Sequence, residues 1–331
     1  MEFVTLADAG LRLSRVGLGT WAMGGGWWGP SDRQESYTTI RKAIDLGITT
    51  FDTAPIYGLG VSEEVLGQAI KDSGCRDRVV LATKAGLEWT NNKVVRNSSL
   101  PRLAQELEDS LRRLQTDVID LYQIHWPDPL EPIEETAAFL GQLLQQGKIR
   151  AIGVSNFSPE QMDRFRQVAP LHTAQPPYNL FERQIEAEVL PYCREHGIHT
   201  LVYSPLCRGL LSGRMTPQTT FPSGDMRAGI DPKFVEPRYS QYLKAAEALS
   251  QFAQDRYGKT LAQLAVRWLL DQPGVSVALW GARKPHHLEA ISGLWGWSLD
   301  AEAMQTIEDI LQRYVPESIP PSFMSPPARA A

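Results

Sequence analysis

The sequence of 331 residues lacks the features that mark several classes of protein. Its three cysteines, Cys75, Cys193 and Cys207, are widely spaced, fit no C-x-x-C or metal pattern and cannot all pair within one chain. No apolar run approaches the roughly 20 residues of a membrane span, and the N-terminus lacks the basic and apolar regions of a signal peptide. We therefore expect reduced thiols, no bound metal, no membrane partner and a cytoplasmic location.

Neither acidic nor basic residues clearly predominate in the sequence. The formal net charge is −5, with no long run of acidic or basic residues. This distribution argues against a nucleic-acid partner and favours a small-molecule ligand. With 43% hydrophobic residues, the chain can bury a core large enough to enclose a pocket.

Short apolar runs alternate with helical patterns along most of the chain. Residues 2–6 and 11–14 flank a turn at Gly10 and predict an N-terminal β-hairpin. Eight strands are then predicted, at Val16–Thr20, Thr49–Asp52, Val79–Lys84, Ile119–His125, Ile149–Ser155, His172–Gln175, His199–Ser204 and Val275–Trp280.

Helices are predicted between these strands, several of them with a capping Ser, Asp or Pro at the start or a glycine at the end. They cover Glu35–Leu46, Ser62–Lys71, Leu100–Leu114, Pro132–Gln146, Pro159–Val168, Glu182–His196 and Thr260–Asp271. Eight strand-helix units favour a (β/α)8 TIM barrel, with an open doubly wound sheet as the lesser alternative.

Two insertions and a tail interrupt the pattern. Residues 89–99 and 214–239 are too long for plain connections, and long loops in a barrel usually belong to the active-site face. We expect one barrel domain over residues 1–315. The Pro-rich tail, residues 316–331, should be poorly ordered or lie on the surface.

Four residues suited to proton transfer stand at or near the ends of the second, third and fourth predicted strands. They are Asp52, Tyr57, Lys84 and His125. Because the carboxyl ends of barrel strands meet on one face, we expect these side chains to converge. Each residue alone has a structural explanation, such as a helix cap, a rim charge or a core position. Their joint placement favours catalysis.

The chemistry of this group follows from the tyrosine. A free phenol has a pKa of about 10 and donates protons poorly near neutral pH unless a cation stabilises the phenolate. We expect Lys84 to supply that cation and Asp52 to hold the lysine in place. His125 can hydrogen-bond the same reacting oxygen, so the group predicts reduction of a carbonyl to an alcohol.

Longer motifs recur in order along nearly the whole chain. They are Phe51-Asp52-Thr53-Ala54, Tyr57-Gly58, Ser62-Glu63, Leu66-Gly67, Gly153 to Phe157, Tyr203 to Leu206, Gly209 to Gly213 and Gly281 to Arg283. In these motifs the chain resembles the aldo-keto reductases, and is most similar to bacterial NADPH-dependent members related to the potassium-channel β subunits. The G-x-G-x-x-G dinucleotide fingerprint is absent after the first strand.

The resemblance implies a barrel that binds NADP(H) in an extended pose and reduces aldehydes and ketones reversibly. Because most members of the family are monomers, it also implies a monomer. Hydride would pass from the nicotinamide to the carbonyl carbon while Tyr57 protonates the oxygen. Asp52, Tyr57, Lys84 and His125 would be the catalytic residues. Trp21, Tyr57, His125 and Trp126 would contact the substrate, and Trp27, Trp28 and Trp89 would stand around the mouth, which favours apolar or aryl carbonyls.

The same resemblance implies a cofactor-binding set. Ser155, Asn156 and Gln175 would hold the carboxamide, Tyr203 would stack on the nicotinamide, and Ser204 to Gly209 would wrap the pyrophosphate. Arg283 and Lys284 favour NADPH, because a 2′-phosphate needs a fixed cation. The full predicted set is Thr20, Trp21, Asp52, Ser155, Asn156, Gln175, Tyr203, Ser204, Pro205, Leu206, Cys207, Arg208, Gly209, Arg214, Gly281, Ala282, Arg283 and His287. Where many members place Gln, Glu and Asn against the adenine, this chain has His287, Ala290 and Ile291.

Two other functions share this kind of fold. The potassium-channel β subunits are cofactor-loaded redox-sensing modules, but they carry Asn at the position of His125, which favours an enzyme here. A phosphosugar isomerase or aldolase would need a phosphate-gripping glycine loop after strands seven and eight and a buried acid–base pair. The loop after strand seven is better explained by a dinucleotide.

Overall fold

Eight parallel strands close into a barrel in the computed structural model, which describes residues 1–90, 93–315, 317 and 319–330. In chain order the strands are β1 (Phe3–Leu6), β2 (Leu11–Ser14), β3 (Val16–Gly19), β4 (Thr50–Asp52), β5 (Val80–Ala85), β6 (Leu87–Thr90), β7 (Lys93–Arg96), β8 (Ile119–Ile124), β9 (Ile149–Ser155), β10 (Thr173–Gln175), β11 (His199–Val202) and β12 (Val275–Gly281). The barrel order is β3-β4-β5-β8-β9-β10-β11-β12, and β12 pairs with β3 to close it. The predicted (β/α)8 fold is confirmed.

Helices connect the strands and cover the outside of the barrel. They are α1 (Arg33–Asp45), α2 (Val61–Asp72), α3 (Leu100–Leu114), α4 (Ile133–Gln145), α5 (Pro159–Arg166), α6 (Val189–Glu195), α7 (Arg238–Tyr257), α8 (Leu261–Asp271) and α9 (Ala301–Tyr314). Side-chain caps set several starts: Ser158 and Thr260 form capping boxes, and Asp32 and Asp300 accept from the first turns of α1 and α9. Among the described helices, none combines the length and the apolar character that a membrane span requires.

Two apolar cores follow from the alternation of side chains along the barrel strands. The inward-facing residues, among them Val80, Leu121 and Val277, form a small core inside the barrel. The β1–β2 hairpin adds Leu6 and Leu13 to that core and plugs the end opposite the strand tips. The outward-facing residues pack under the helices in a larger core. A filled interior makes the strand ends, and not the barrel axis, the place for a site.

The structure departs from the predicted helices in two places. The predicted helix from Glu182 begins only at Val189, because Asn179 and Glu182 close a turn in which Asn179 Nδ2 donates to the Glu182 carboxylate. Helices α7 and α9 add to the predicted set. Helix α7 begins after Pro237 with no side-chain cap, and alanines make up half of its buried residues, so its sequence signal is weak.

The first insertion forms an antiparallel hairpin, β6–β7, in which Trp89 faces Val94; Asn91 and Asn92 lie outside the described residues. The second contains two short 3-10 turns at Met226–Ala228 and Pro232–Phe234. After α9, the described part of the tail includes a 3-10 turn at Pro321–Met324 and an ion pair from Arg329 to Asp128.

Candidate active site

A buried ion pair lies where β4 and β5 end. Lys84 Nζ is 2.5 Å from Asp52 Oδ1 and also donates to the Thr53 carbonyl at 2.9 Å. The other carboxylate oxygen of Asp52 accepts from Gln175 Nε2 at 2.8 Å and Gln123 Nε2 at 3.2 Å. Each buried charge is therefore both ion-paired and hydrogen-bonded, as burial requires.

Tyr57 stands directly in front of this pair. Lys84 Nζ lies 3.3 Å from Tyr57 Oη, within hydrogen-bonding reach. The His125 ring is edge-on to the Tyr57 ring, with centroids 5.8 Å apart, and the Trp21 ring lies 6.1 Å away on a tilted plane. The structure thus brings Asp52, Tyr57, Lys84 and His125 together as the sequence predicts.

A backbone contact fixes the loop that carries Tyr57. A Cβ atom placed on Gly24 would lie 2.4 Å from the Tyr57 carbonyl carbon, and one on Gly58 would lie 2.2 Å from the Gly24 oxygen. The loops after β3 and β4 therefore touch through two glycines with no room for a side chain. The Gly24-Gly25-Gly26 run, which matches no dinucleotide fingerprint, has this packing role at its first glycine.

Burial dominates the proton equilibria of the site. It raises the pKa of Tyr57 well above its ordinary value, and the Asp52 charge adds to the rise. It lowers the pKa of Lys84, although Asp52 opposes the change. Burial and the charge of Lys84 lower the pKa of His125 well below its usual range. At neutral pH Tyr57 is therefore a protonated phenol and His125 a neutral imidazole.

A cavity of about 1360 Å³ opens above these residues and extends away from them. Asp52, Tyr57 and His125 border one part of it, and Arg283, Lys284 and His287 border another. Lys84 is fully buried behind Tyr57 and does not border it. The volume exceeds what a small carbonyl compound occupies and leaves space for a dinucleotide beside it.

The residues predicted to hold the carboxamide are linked to one another. Asn156, with a left-handed φ of 62°, donates to Ser155 Oγ and to the His125 carbonyl, each at 3.0 Å. Its Oδ1 accepts from the Tyr203 hydroxyl at 2.9 Å. Ser155 Oγ in turn donates to the Gln175 carbonyl. All four residues border the cavity, so they present a fixed polar wall to a ligand.

The segment predicted to wrap the pyrophosphate has an unusual backbone. Ser204, Cys207, Arg208 and Gly209 all have φ between 44° and 100°, which turns successive peptide groups within one short loop. Ser204, Pro205, Leu206, Arg208 and Gly209 border the cavity.

Two predicted cofactor ligands lie behind the cavity wall. The Cys207 side chain is fully buried and does not border the cavity. Thr20 is also fully buried, and its hydroxyl bonds the Asp52 carbonyl and Ser62 Oγ. Their side chains support the lining and do not face a ligand.

The far end of the cavity is rich in cations. Arg214, Arg283 and Lys284 border it, together with the imidazoles of His286 and His287. Arg283 donates to the carbonyls of Trp28 and Pro30, which ties the β12 loop to the β3 loop. Among the described residues, none hydrogen-bonds or ion-pairs with the Arg214 guanidinium. Burial and the neighbouring cations lower the pKa of His287 to about 4, so this imidazole is neutral.

Apolar side chains form the wall near Tyr57. The predicted substrate contacts Trp21 and Trp126 both border the cavity, as do Trp27, Trp28 and Trp89. Arg102 lies over the Trp89 ring, 5.3 Å from its centroid, and donates to the Leu87 carbonyl, so helix α3 holds the β6–β7 hairpin in place. This wall suits an apolar or aryl ligand.

Four residues that line or support the cavity are not among those predicted from the sequence. Gln123 bonds Asp52 from inside β8, and Arg227 lies over the rings of Trp28 and Phe221 while donating to the Arg208 carbonyl. Met324 and Pro326 bring the tail into the cavity wall. A polar residue two positions before His125 faces the same side of its strand, which could have identified Gln123. No local pattern indicates the other three.

The fold and this constellation define a reductase barrel, and comparison with known proteins gives the family. The model of the Aldo/keto reductase family matches residues 15–312. The chain belongs to this family, whose members are oxidoreductases that use nicotinamide cofactors.

Individual relatives match over nearly the full length. The chain is 57% identical to "Aldo-keto reductase YhdN" of Bacillus subtilis (strain 168), with 99% of each chain covered. It is 37% identical to the "NADH-specific methylglyoxal reductase" of Escherichia coli (strain K12), over 95% of this chain and all of the relative. Among solved structures, glycerol dehydrogenase AKR11B4 from Gluconobacter oxydans superposes with a TM-score of 0.88 at 50% identity, covering 98% of this chain and 99% of that one.

The glycine contact behind Tyr57 yields a test. Gly24→Ala places a methyl group against the Tyr57 and Gly58 backbone and should shift the Tyr57 loop. We expect turnover of a carbonyl substrate to fall at least about 100-fold, because a misplacement of about 1 Å costs that much. Steady-state kinetics on the variant and on Gly141→Ala would measure this, because Gly141 lies within helix α4, away from the cavity, and a Cβ there meets only Ala169 Cβ at 3.4 Å. Equal activity of the two variants would contradict the positioning role.

Proposed function

We propose that this protein reduces aldehydes and ketones to alcohols with NADPH, reversibly, and that Tyr57 supplies the proton. The observation that carries the proposal is the position of Tyr57 Oη, 3.3 Å from Lys84 Nζ, beside a cavity that also reaches a group of cations. A proton donor, with its stabilising cation directly behind it, therefore faces a cavity that has room for a phosphorylated dinucleotide.

The residues have distinct parts in the proposed reaction. A bound nicotinamide would supply the hydride. Tyr57 gives its proton to the carbonyl oxygen as negative charge develops there, and Lys84 stabilises the phenolate that remains. Neutral His125 donates a hydrogen bond to the same oxygen without adding charge. Asp52 keeps Lys84 charged against the effect of burial.

The cations at the far end of the cavity support NADPH as the cofactor. Arg214, Arg283 and Lys284 could pair with the 2′-phosphate that NADPH has and NADH lacks. Lys284 is 3.3 Å from Glu35, so its charge is partly used within the protein. An NADH-specific relative has 37% identity, which makes this choice of cofactor a matter for direct measurement.

Removing the proton donor is the first test of the reaction. Tyr57→Phe should lower turnover of 4-nitrobenzaldehyde, methylglyoxal or phenylglyoxal by several orders of magnitude and leave NADPH affinity nearly unchanged, because proton donation acts in the transition state. Absorbance of the reduced cofactor measures turnover, and Tyr37→Phe, which removes a hydroxyl paired with Asp72 on the surface, is the control. If wild type binds NADPH but turns over none of the three, and Tyr57→Phe behaves identically, the protein is a cofactor-binding module.

Arg283 is the residue on which cofactor choice can be tested. Arg283→Ala should weaken NADPH more than NADH, by on the order of 1 to 3 kcal/mol, through loss of a charge-assisted bond to the 2′-phosphate. Titration calorimetry with both dinucleotides would show the difference. Arg41→Ala, on the exposed side of α1, is the matched control. An equal loss of both affinities would mean that Arg283 acts through the carbonyls of Trp28 and Pro30.

The raised pKa of Tyr57 predicts opposite pH profiles for the two directions. Reduction uses the protonated phenol, which persists through neutral pH, whereas alcohol oxidation needs the phenolate. We expect kcat/KM for oxidation to rise continuously between about pH 7 and pH 10, while kcat/KM for reduction does not rise. Rate measurements in constant-ionic-strength buffers would test this. A plateau in oxidation below about pH 8 would show that the phenol titrates lower than its burial implies.

A further inference from the structure

The C-terminal tail crosses the active-site face of the barrel. Phe323 and Met324 contact Arg208 in the loop after β11. A few residues later, the Pro327 carbonyl accepts from the Arg96 amide of β7 at 2.9 Å. Arg329 then pairs with Asp128 at 2.6 Å and with Glu131, in the loop after β8. The tail is thus held against the barrel loops both at residues 323–324 and at Arg329.

Beneath the first anchor lies a buried group of four charges, which we call the buried quartet: Glu182, Arg208, Asp231 and Lys233. Arg208 pairs with Asp231 at 2.9 Å and Glu182 at 3.4 Å, and Lys233 pairs with the same two carboxylates at 3.2 and 2.9 Å. All four side chains are fully buried. Burial alone would raise the pKa of Glu182, but Arg208 and Lys233 hold it at about 2. Two acidic and two basic side chains thus pair with one another in formal balance.

Two residues of the tail, Phe323 and Met324, pack against the cations of this quartet. The Phe323 ring centroid lies 4.8 Å from Lys233 Nζ and 5.3 Å from Arg208 Cζ, so one ring faces both cations. Met324 Sδ accepts from Arg208 Nη2. An aromatic face attracts cations most strongly when water is excluded, and here both cations are buried.

Arg208 belongs to the cofactor loop as much as to the quartet. Its backbone is left-handed, with φ of 52°, and it precedes Gly209 with φ of 100°. Both residues border the cavity, and the Arg208 carbonyl accepts from Arg227. Asn179, which bonds Glu182, also donates to the Ser204 carbonyl at the start of the same loop. The quartet therefore holds the loop that would wrap a pyrophosphate at two points.

We propose that Phe323 and Met324 are positioning residues for cofactor binding, which fix the pyrophosphate-wrapping loop by holding the Arg208 side chain in the buried quartet. This inference rests on the proposed function, since it requires a dinucleotide in the cavity. The tail acts on cofactor affinity through Arg208 and is not an inert extension.

The test uses point variants of the full chain: Phe323→Ala, Phe323→Tyr, which restores a ring, and Ser322→Ala, a change at an exposed residue in the same turn. Calorimetry gives the Kd of each variant for NADPH, for NADH and for adenosine 2′,5′-bisphosphate, which lacks the pyrophosphate. Circular dichroism confirms that each variant is folded.

We expect Phe323→Ala to raise the Kd for NADPH and for NADH by the same factor, about tenfold, because both carry the pyrophosphate. Its Kd for the bisphosphate should stay within about twofold of wild type, and the other two variants should match wild type with all three ligands. Unchanged dinucleotide affinity in Phe323→Ala, or an equal loss for the bisphosphate, would overturn the inference. If wild type itself binds neither dinucleotide, the proposed function fails and this inference fails with it.

Discussion

The ion pair between Lys84 and Asp52 sets the geometry of the active site. Its two charges are buried at the ends of β4 and β5, where desolvation is costly, and they are stable because Thr53, Gln123 and Gln175 complete their hydrogen bonds. Removing either partner would leave the other charge buried and unpaired, and would lower the free energy of unfolding by about 3 to 5 kcal/mol. Strands β4, β5, β8 and β10 are therefore linked at one point, and Tyr57 stands directly in front of it.

The rest of the cavity is built from loops that hold one another. Glycines at positions 24 and 58 join the loops after β3 and β4, and Arg283 ties the loop after β12 to the carbonyls of Trp28 and Pro30. Arg227 and the buried quartet hold the loop after β11. Loops are usually the most mobile parts of a barrel, so these links explain how a long cavity keeps a defined shape.

The sequence predicts the barrel and the convergence of Asp52, Lys84 and His125 at one end of it, because both depend on local patterns. Short apolar runs between helical patterns indicate the strands, and Asp52, Lys84 and His125 stand at strand ends, where parallel topology must bring them together. What it does not predict depends on contacts between distant segments. The turn at Asn179 and Glu182 replaces a helix because a buried carboxylate needs partners from the loop after β11. The contact of Phe323 with Arg208, more than 100 residues apart in the chain, has no local signal either.

An isotope label tests the proposed hydride transfer within this cavity most directly. Wild-type protein would reduce 4-nitrobenzaldehyde with NADPH deuterated at C4 on one face or on the other, and mass spectrometry would locate the deuterium in the alcohol. Tyr203, fixed by Asn156, should cover one face of the nicotinamide, so we expect only one of the two labelled cofactors to give deuterated alcohol. Label from both in equal amounts, or from neither, would contradict direct transfer from a cofactor held in this orientation.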